Sequence, residues 1–155
     1  MEIVIYAMDL KEEEKKELLD VWNKIKTSSQ AMDDILVTFM KNHPDIFDKF
    51  CDLCDKPSDV MVKDDMFKAI KSKMKGLLSK LFKAMDDDKL LQDLALKLAT
   101  FHSKFDIDGD YLQKAPEELT ETVKDSLPEG LSPVAKEALF KILQEFSCCI
   151  ERNMN

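Results

Sequence analysis

Only two of the 155 residues are histidine, and His102 stands in the stretch LALKLATFHSKFDI, residues 94–107. Leu98 and Ala99 precede it by four and three residues, so all three share one helix face. A histidine there either packs as a neutral, hydrogen-bonded core residue or offers a ring nitrogen to a metal. The other soft donors are four cysteines: Cys51 and Cys54 form a C-x-x-C, and Cys148 and Cys149 are adjacent. Tetrahedral zinc needs converging ligands. Adjacent cysteines late in an amphipathic helix point in different directions, and Cys149 falls on the apolar stripe, so it reads as core. DIDGD (106–110) hints at a calcium loop. Placing Gly109 at loop position six leaves Ala115 where the bidentate Glu must stand, which rejects it. No nucleophile–base pair, phosphate loop or set of convergent carboxylates is legible, so the expectation is that the protein is not an enzyme.

The elements that must position these residues read as helices. Gly (3) and Pro (5) are too scarce for the many turns of an all-β chain. Asp9 and Glu12 form a capping pair before a stripe of Leu18, Leu19, Val21, Trp22 and Ile25. A second helix starts near Ser29, turns Met32, Ile35, Leu36, Phe39 and Met40 inward, and ends at His43, because Pro44 disfavours helical geometry in the residue before it. HPDIFDKF reads as a short helix, and residues 51–64 as a polar loop. A long helix from about Asp64 to Met85 carries Met66, Phe67, Ile70, Met74, Leu77, Leu78, Leu81 and Phe82. Asp86 to Asp88 break it and cap the helix of His102. A sixth helix runs from about Tyr111 to Leu127, with Pro116 marking a late start. Ser132 and Pro133 open the last.

The formal charge of −8 repels phosphate backbones and anionic lipids. Lysines alternate with acids, as on solvated helix faces, so nucleic acid is not an expected partner. No apolar run approaches the ~20 residues of a membrane span, and MEIVIYAM makes a poor signal peptide. The expected compartment is the cytoplasm, where the cysteines are thiols.

With the long helix as the opposite wall, His102 faces apolar side chains across a slot, the proximal arrangement of a haem. Here the sequence resembles the globin family, over residues 9–151, leaving 1–8 as an N-terminal extension and 152–155 as a tail. Trp22 stands where globins often carry a first-helix tryptophan. In FMKNHPDIFDKF, Phe50 follows Pro44 by six residues, as the haem-wedging Phe of globins does. LATFH matches the Leu-Ala-x-x-His of the proximal ligand. MDDDKLLQDLALKLATFH resembles invertebrate globins and neuroglobin, and GLSPVAKEALFKIL resembles the start of the last globin helix.

The resemblance implies an all-α fold of about seven to eight helices around a pocket for haem b. It implies that His102 ligates iron, Phe50 packs on the porphyrin, and Leu36 lies on the distal side. Leu98, Ile107 and Tyr111 would line the proximal side. His43 falls where globins often have a structural histidine, and we read it as a surface or corner residue. The departure is distal: the long helix has no histidine. One register puts Ile70 at that position and Met74 one turn on; a three-residue shift puts Lys73 there. We favour the first, although Lys75 then lies near a usually buried position. Met74 reads as core filler, with a soft thioether able to act as a sixth ligand. Lys73 would first have to lose a proton, which costs about 4.6 kcal/mol at pH 7.

The implied function is reversible binding of oxygen, with carbon monoxide and nitric oxide as further ligands, for storage or transport. A hydrogen bond to a charged partner contributes about 1.5–3 kcal/mol, and about 1.4 kcal/mol is tenfold in affinity. An apolar distal wall therefore predicts fast oxygen release. The alternative is a redox, nitric-oxide-handling or sensor globin. It would have internally six-coordinate haem or a disulfide of the kind some globins carry near Cys51 and Cys54. A haem-free helical module is opposed by His102 and Phe50. Assembly is expected to be a monomer or small homo-oligomer.

Overall fold

The computed structural model describes residues 10–49, 51–104 and 109–154. Among them eight α-helices and one 3-10 turn form, and no strand. In chain order they are α1 (Glu12–Lys26), α2 (Ser29–Asn42), α3 (Pro44–Phe47), α4 (Ser58–Met61) and α5 (Asp65–Lys83). The 3-10 turn Ala84–Asp86 leads into α6 (Asp88–Lys104), followed by α7 (Gly109–Ser126) and α8 (Pro133–Arg152).

Several of the starts have a local cause. Ser28 Oγ accepts from Ala31 N at 3.1 Å, Asp64 Oδ1 from Met66 N at 2.8 Å, and Ser132 Oγ from Ala135 N at 3.1 Å. Asp87 does the same for Leu90 N at 3.1 Å and opens the helix of His102. These side chains satisfy amides that a helix start leaves without a partner. At α1 the expected pair is replaced: Lys11 is the cap, and Glu14 accepts from its backbone N–H at 3.1 Å. Glu14 is buried and also receives Lys141 Nζ at 3.1 Å. Asp9 lies outside the described residues.

The core has two parts. The larger joins α1, the start of α2, the end of α5, α6, α7 and α8, with Leu18, Ile142 and Cys149 fully buried. Trp22 stacks on Phe82 with ring centroids 5.4 Å apart. The smaller gathers Leu36, Val37 and Met40 of α2 with Phe47, Leu53, Met61 and Phe67.

Several expectations are corrected. Leu19 and Met66 are exposed, because each lies one residue off the buried stripe, beside Leu18 and Phe67. Residues 51–64 are not a polar loop throughout: they contain α4, and Leu53, Cys54 and Met61 anchor the smaller core. Pro116 does not delay α7, which begins at Gly109 and carries Pro116 inside it. Burial of Leu112, Ala115, Thr120 and Val123 against the neighbouring α8 and α2 outweighs the lost backbone bond. Thr120 Oγ1 also donates to the Pro116 carbonyl at 2.7 Å.

Candidate functional site

His102 lies in the last turn of α6 and is partly buried. Its Nδ1 is 2.6 Å from the carbonyl oxygen of Leu98, one turn back. A carbonyl only accepts, so Nδ1 carries the proton and the lone pair resides on Nε2. Burial lowers the pKa of the ring below its ordinary value, against the opposing effect of the Leu98 hydrogen bond. The outcome is a neutral imidazole with a fixed tautomer, the form in which histidine ligates metal.

α5 packs against α6, the helix of His102. Ile70 packs on the smaller core, Leu77 and Leu78 on the larger, and Met74 on both. The helix turns its cations outward. Lys73 and Lys75 are exposed, and Lys71 pairs with Asp33 at 2.7 Å. The orientation of α5 thus puts Ile70 and Met74 inward and Lys73 toward solvent. Lys75, the residue that weighed against that register, is not in a buried position.

Leu36 is fully buried and shares the smaller core with Ile70 and Met74. Leu98 packs on the larger core, as Met74 does. The ring of Tyr111 is tilted on Phe39 at 6.2 Å and edge-on to His43 at 4.9 Å. Phe50 and Ile107 lie outside the described residues.

His43 is a corner residue, capping the end of α2 and the start of α3, but not a surface one. Its side chain is 13% exposed, and Nε2 is hydrogen-bonded to Oε2 of Glu118 on α7. This cluster was not anticipated. Glu118 is one of many acids in α7, and only the packing of α2 on α7 selects it.

Three of the thiols, Cys51, Cys54 and Cys149, are made less acidic by their surroundings. Burial raises the pKa of Cys51, and it pushes Cys54 and Cys149 up to about 11. Cys54 Sγ donates to the Met40 carbonyl at 3.5 Å, and Cys149 is buried in the larger core as expected. Among the described residues no three His, Cys, Asp or Glu side chains converge as a metal site would require. Two surface clefts of about 550 and 640 Å³ lie beside Val21 and Leu127 and beside Val37 and Thr122. Neither is lined by a predicted site residue.

A Globin family profile matches residues 33–148. The chain belongs to the globin family. No curated protein sequence matches this globin significantly. Among solved structures, the crystal structure of a hexacoordinated heme protein from an anhydrobiotic tardigrade at pH 4 matches with a TM-score of 0.79. The two are 15% identical, over 94% of this chain and 96% of that one. At that identity the likeness establishes the globin fold. No helix among the described residues is long and apolar enough to cross a membrane.

Proposed function

We propose that this globin binds haem b through Nε2 of His102 and uses it to bind small diatomic ligands reversibly, oxygen first. The observation that carries the reading is the hydrogen bond from Nδ1 of His102 to Leu98, which leaves a neutral imidazole with Nε2 as donor. The haem would supply an iron that such ligands can bind. The chain's own residues supply its setting. Leu36, Ile70 and Met74 offer apolar surface on one side, and Leu98 on the other. Non-covalent haem b suits the sequence, since Cys51-Asp-Leu-Cys54 is followed by Asp55 and not by the histidine of a covalent attachment motif.

The role is storage or transport of oxygen in the cytoplasm, without catalysis, by a monomer or small homo-oligomer. Carbon monoxide and nitric oxide are further ligands. The wall of Ile70 and Met74 has no hydrogen-bond donor for a polar ligand, so oxygen release is fast and discrimination against carbon monoxide is weak. A second reading is an internally six-coordinate redox or sensor globin. It is favoured by the hexacoordinated state named for the tardigrade protein. A thiol-controlled version is disfavoured by the raised pKa of Cys51 and Cys54.

The test is optical spectra of the ferric, ferrous and carbon monoxide forms, with His102→Ala alongside, followed by oxygen kinetics of Ile70→His. The expected result is a haem spectrum disrupted in His102→Ala and slower oxygen release in Ile70→His. Absence of haem uptake would overturn the reading. Oxygen affinity that changes with thiol oxidation would favour the sensor.

A further inference from the structure

We propose that the thioether sulfur of Met74 supplies an internal sixth bond to the iron held by His102. The inference rests on the haem reading above and names the residue that competes with external ligands. The two parts of the core divide along the wall of α5. The larger contains Ala99 and receives Leu98, both within one turn of His102. The smaller contains Leu36 and receives Ile70. Among the described hydrophobic side chains, Met74 alone packs against both. It therefore lies midway along the inner face of α5, the helix that packs on α6, which carries His102.

The nitrogen donors of α5, and the second histidine, are turned away or occupied. Ile70, Leu77 and Leu78, which share the inner face of α5 with Met74, carry no lone pair. Lys73 and Lys75 are exposed, and Lys71 is held by Asp33 and by Ser29 Oγ at 3.0 Å. The second imidazole of the chain, His43, is engaged by Glu118. A thioether has no proton to lose, so it ligates at any pH at which the fold persists. Its three rotatable bonds let the sulfur approach and withdraw while the helix stays packed. Histidine with methionine is also the ligand pair that raises haem reduction potential.

The experiment loads the full-length protein with haemin. It records ferric and ferrous absorption, the near-infrared sulfur-to-iron charge-transfer band, and the reduction potential, for wild type, Met74→Leu and Met74→His. The expected result is a low-spin wild type with the sulfur band. Met74→Leu should become high-spin, with a lower potential and several-fold faster carbon monoxide association. Met74→His should stay low-spin and lose the sulfur band, which separates ligation from any packing defect of the leucine variant. A high-spin wild type, or a Met74→Leu variant that stays low-spin, overturns the assignment while leaving haem binding intact. No haem uptake by the wild type overturns the haem reading and this inference with it.

Discussion

Nε2 of His43 and Oε2 of Glu118 join the corner between α2 and α3 to α7, across 75 residues of sequence. The imidazole is also edge-on to Tyr111 and tilted on Phe39 at 5.0 Å. The His43 side chain is 13% exposed and that of Glu118 40%, so removing His43 takes away the covered imidazole with its hydrogen bond and ring contacts, while the carboxylate regains water. His43→Ala is expected to destabilise the protein by about 1–3 kcal/mol. Glu118→Gln, which keeps an acceptor, should lose less. Urea unfolding of both single variants and the double variant checks this. Strictly additive losses would mean that the two side chains do not act as a pair.

His102 gives the haem-free protein a defined pH dependence. Its folded-state pKa lies below the unfolded value, so in the window between them the unfolded chain binds more protons. Stability therefore falls as the pH drops through about 6.5, and the loss levels off below the folded pKa. His102→Gln should flatten this part of the curve, as followed by midpoints between pH 7.5 and 5. A wild type whose stability holds constant across that range, with the variant matching it, would contradict the buried neutral ring.

Pro116 is a standing defect in α7. The backbone bond that its missing N–H forgoes and the clash of its ring are worth about 3 kcal/mol in a helix interior. Pro116→Ala should therefore raise stability by about 1–3 kcal/mol, seen as a higher thermal midpoint. A fall would mean that the ring, buried in the fold, fills space that alanine leaves empty.

The thiols provide a kinetic check. With pKa values near 11, Cys54 and Cys149 hold a thiolate fraction on the order of one in a thousand at pH 8. Their higher intrinsic nucleophilicity offsets part of this deficit. Alkylation by iodoacetamide should run roughly tenfold or more slower than for an unfolded cysteine, with Cys51, only partly buried, reacting ahead of both. Mass spectrometry of the alkylated peptides assigns the order. Rapid labelling of Cys54 would restore the case for a thiol sensor.

Helix positions were legible because caps and apolar spacing act over a few residues. The Asp86–Asp88 run and Ser132 announce helix starts, and Asp87 and Ser132 make the expected bonds; Ser28 and Asp64 cap the starts placed near Ser29 and Asp64. His102 was legible through Leu98 and Ala99. What the sequence did not reveal depends on tertiary packing. Nothing near His43 points to Glu118, nothing in α7 says that it tolerates a proline, and the apolar residues of 51–64 are too few to display a period. The register of α5 lay between these extremes. Ile70 and Lys73 are both compatible with a helix, and only packing against two neighbouring groups of side chains turns one inward and the other out.

The stacking of Trp22 on Phe82 has a practical consequence. Trp22 is the sole tryptophan, 6% exposed, and Phe82 belongs to the same helix as Ile70 and Met74. All indole fluorescence thus arises from one emitter lodged against the wall of the proposed pocket. An absorbing chromophore seated there would drain that emission by resonance energy transfer. Filling and emptying of the pocket become visible in the ultraviolet, in real time, in an unlabelled molecule.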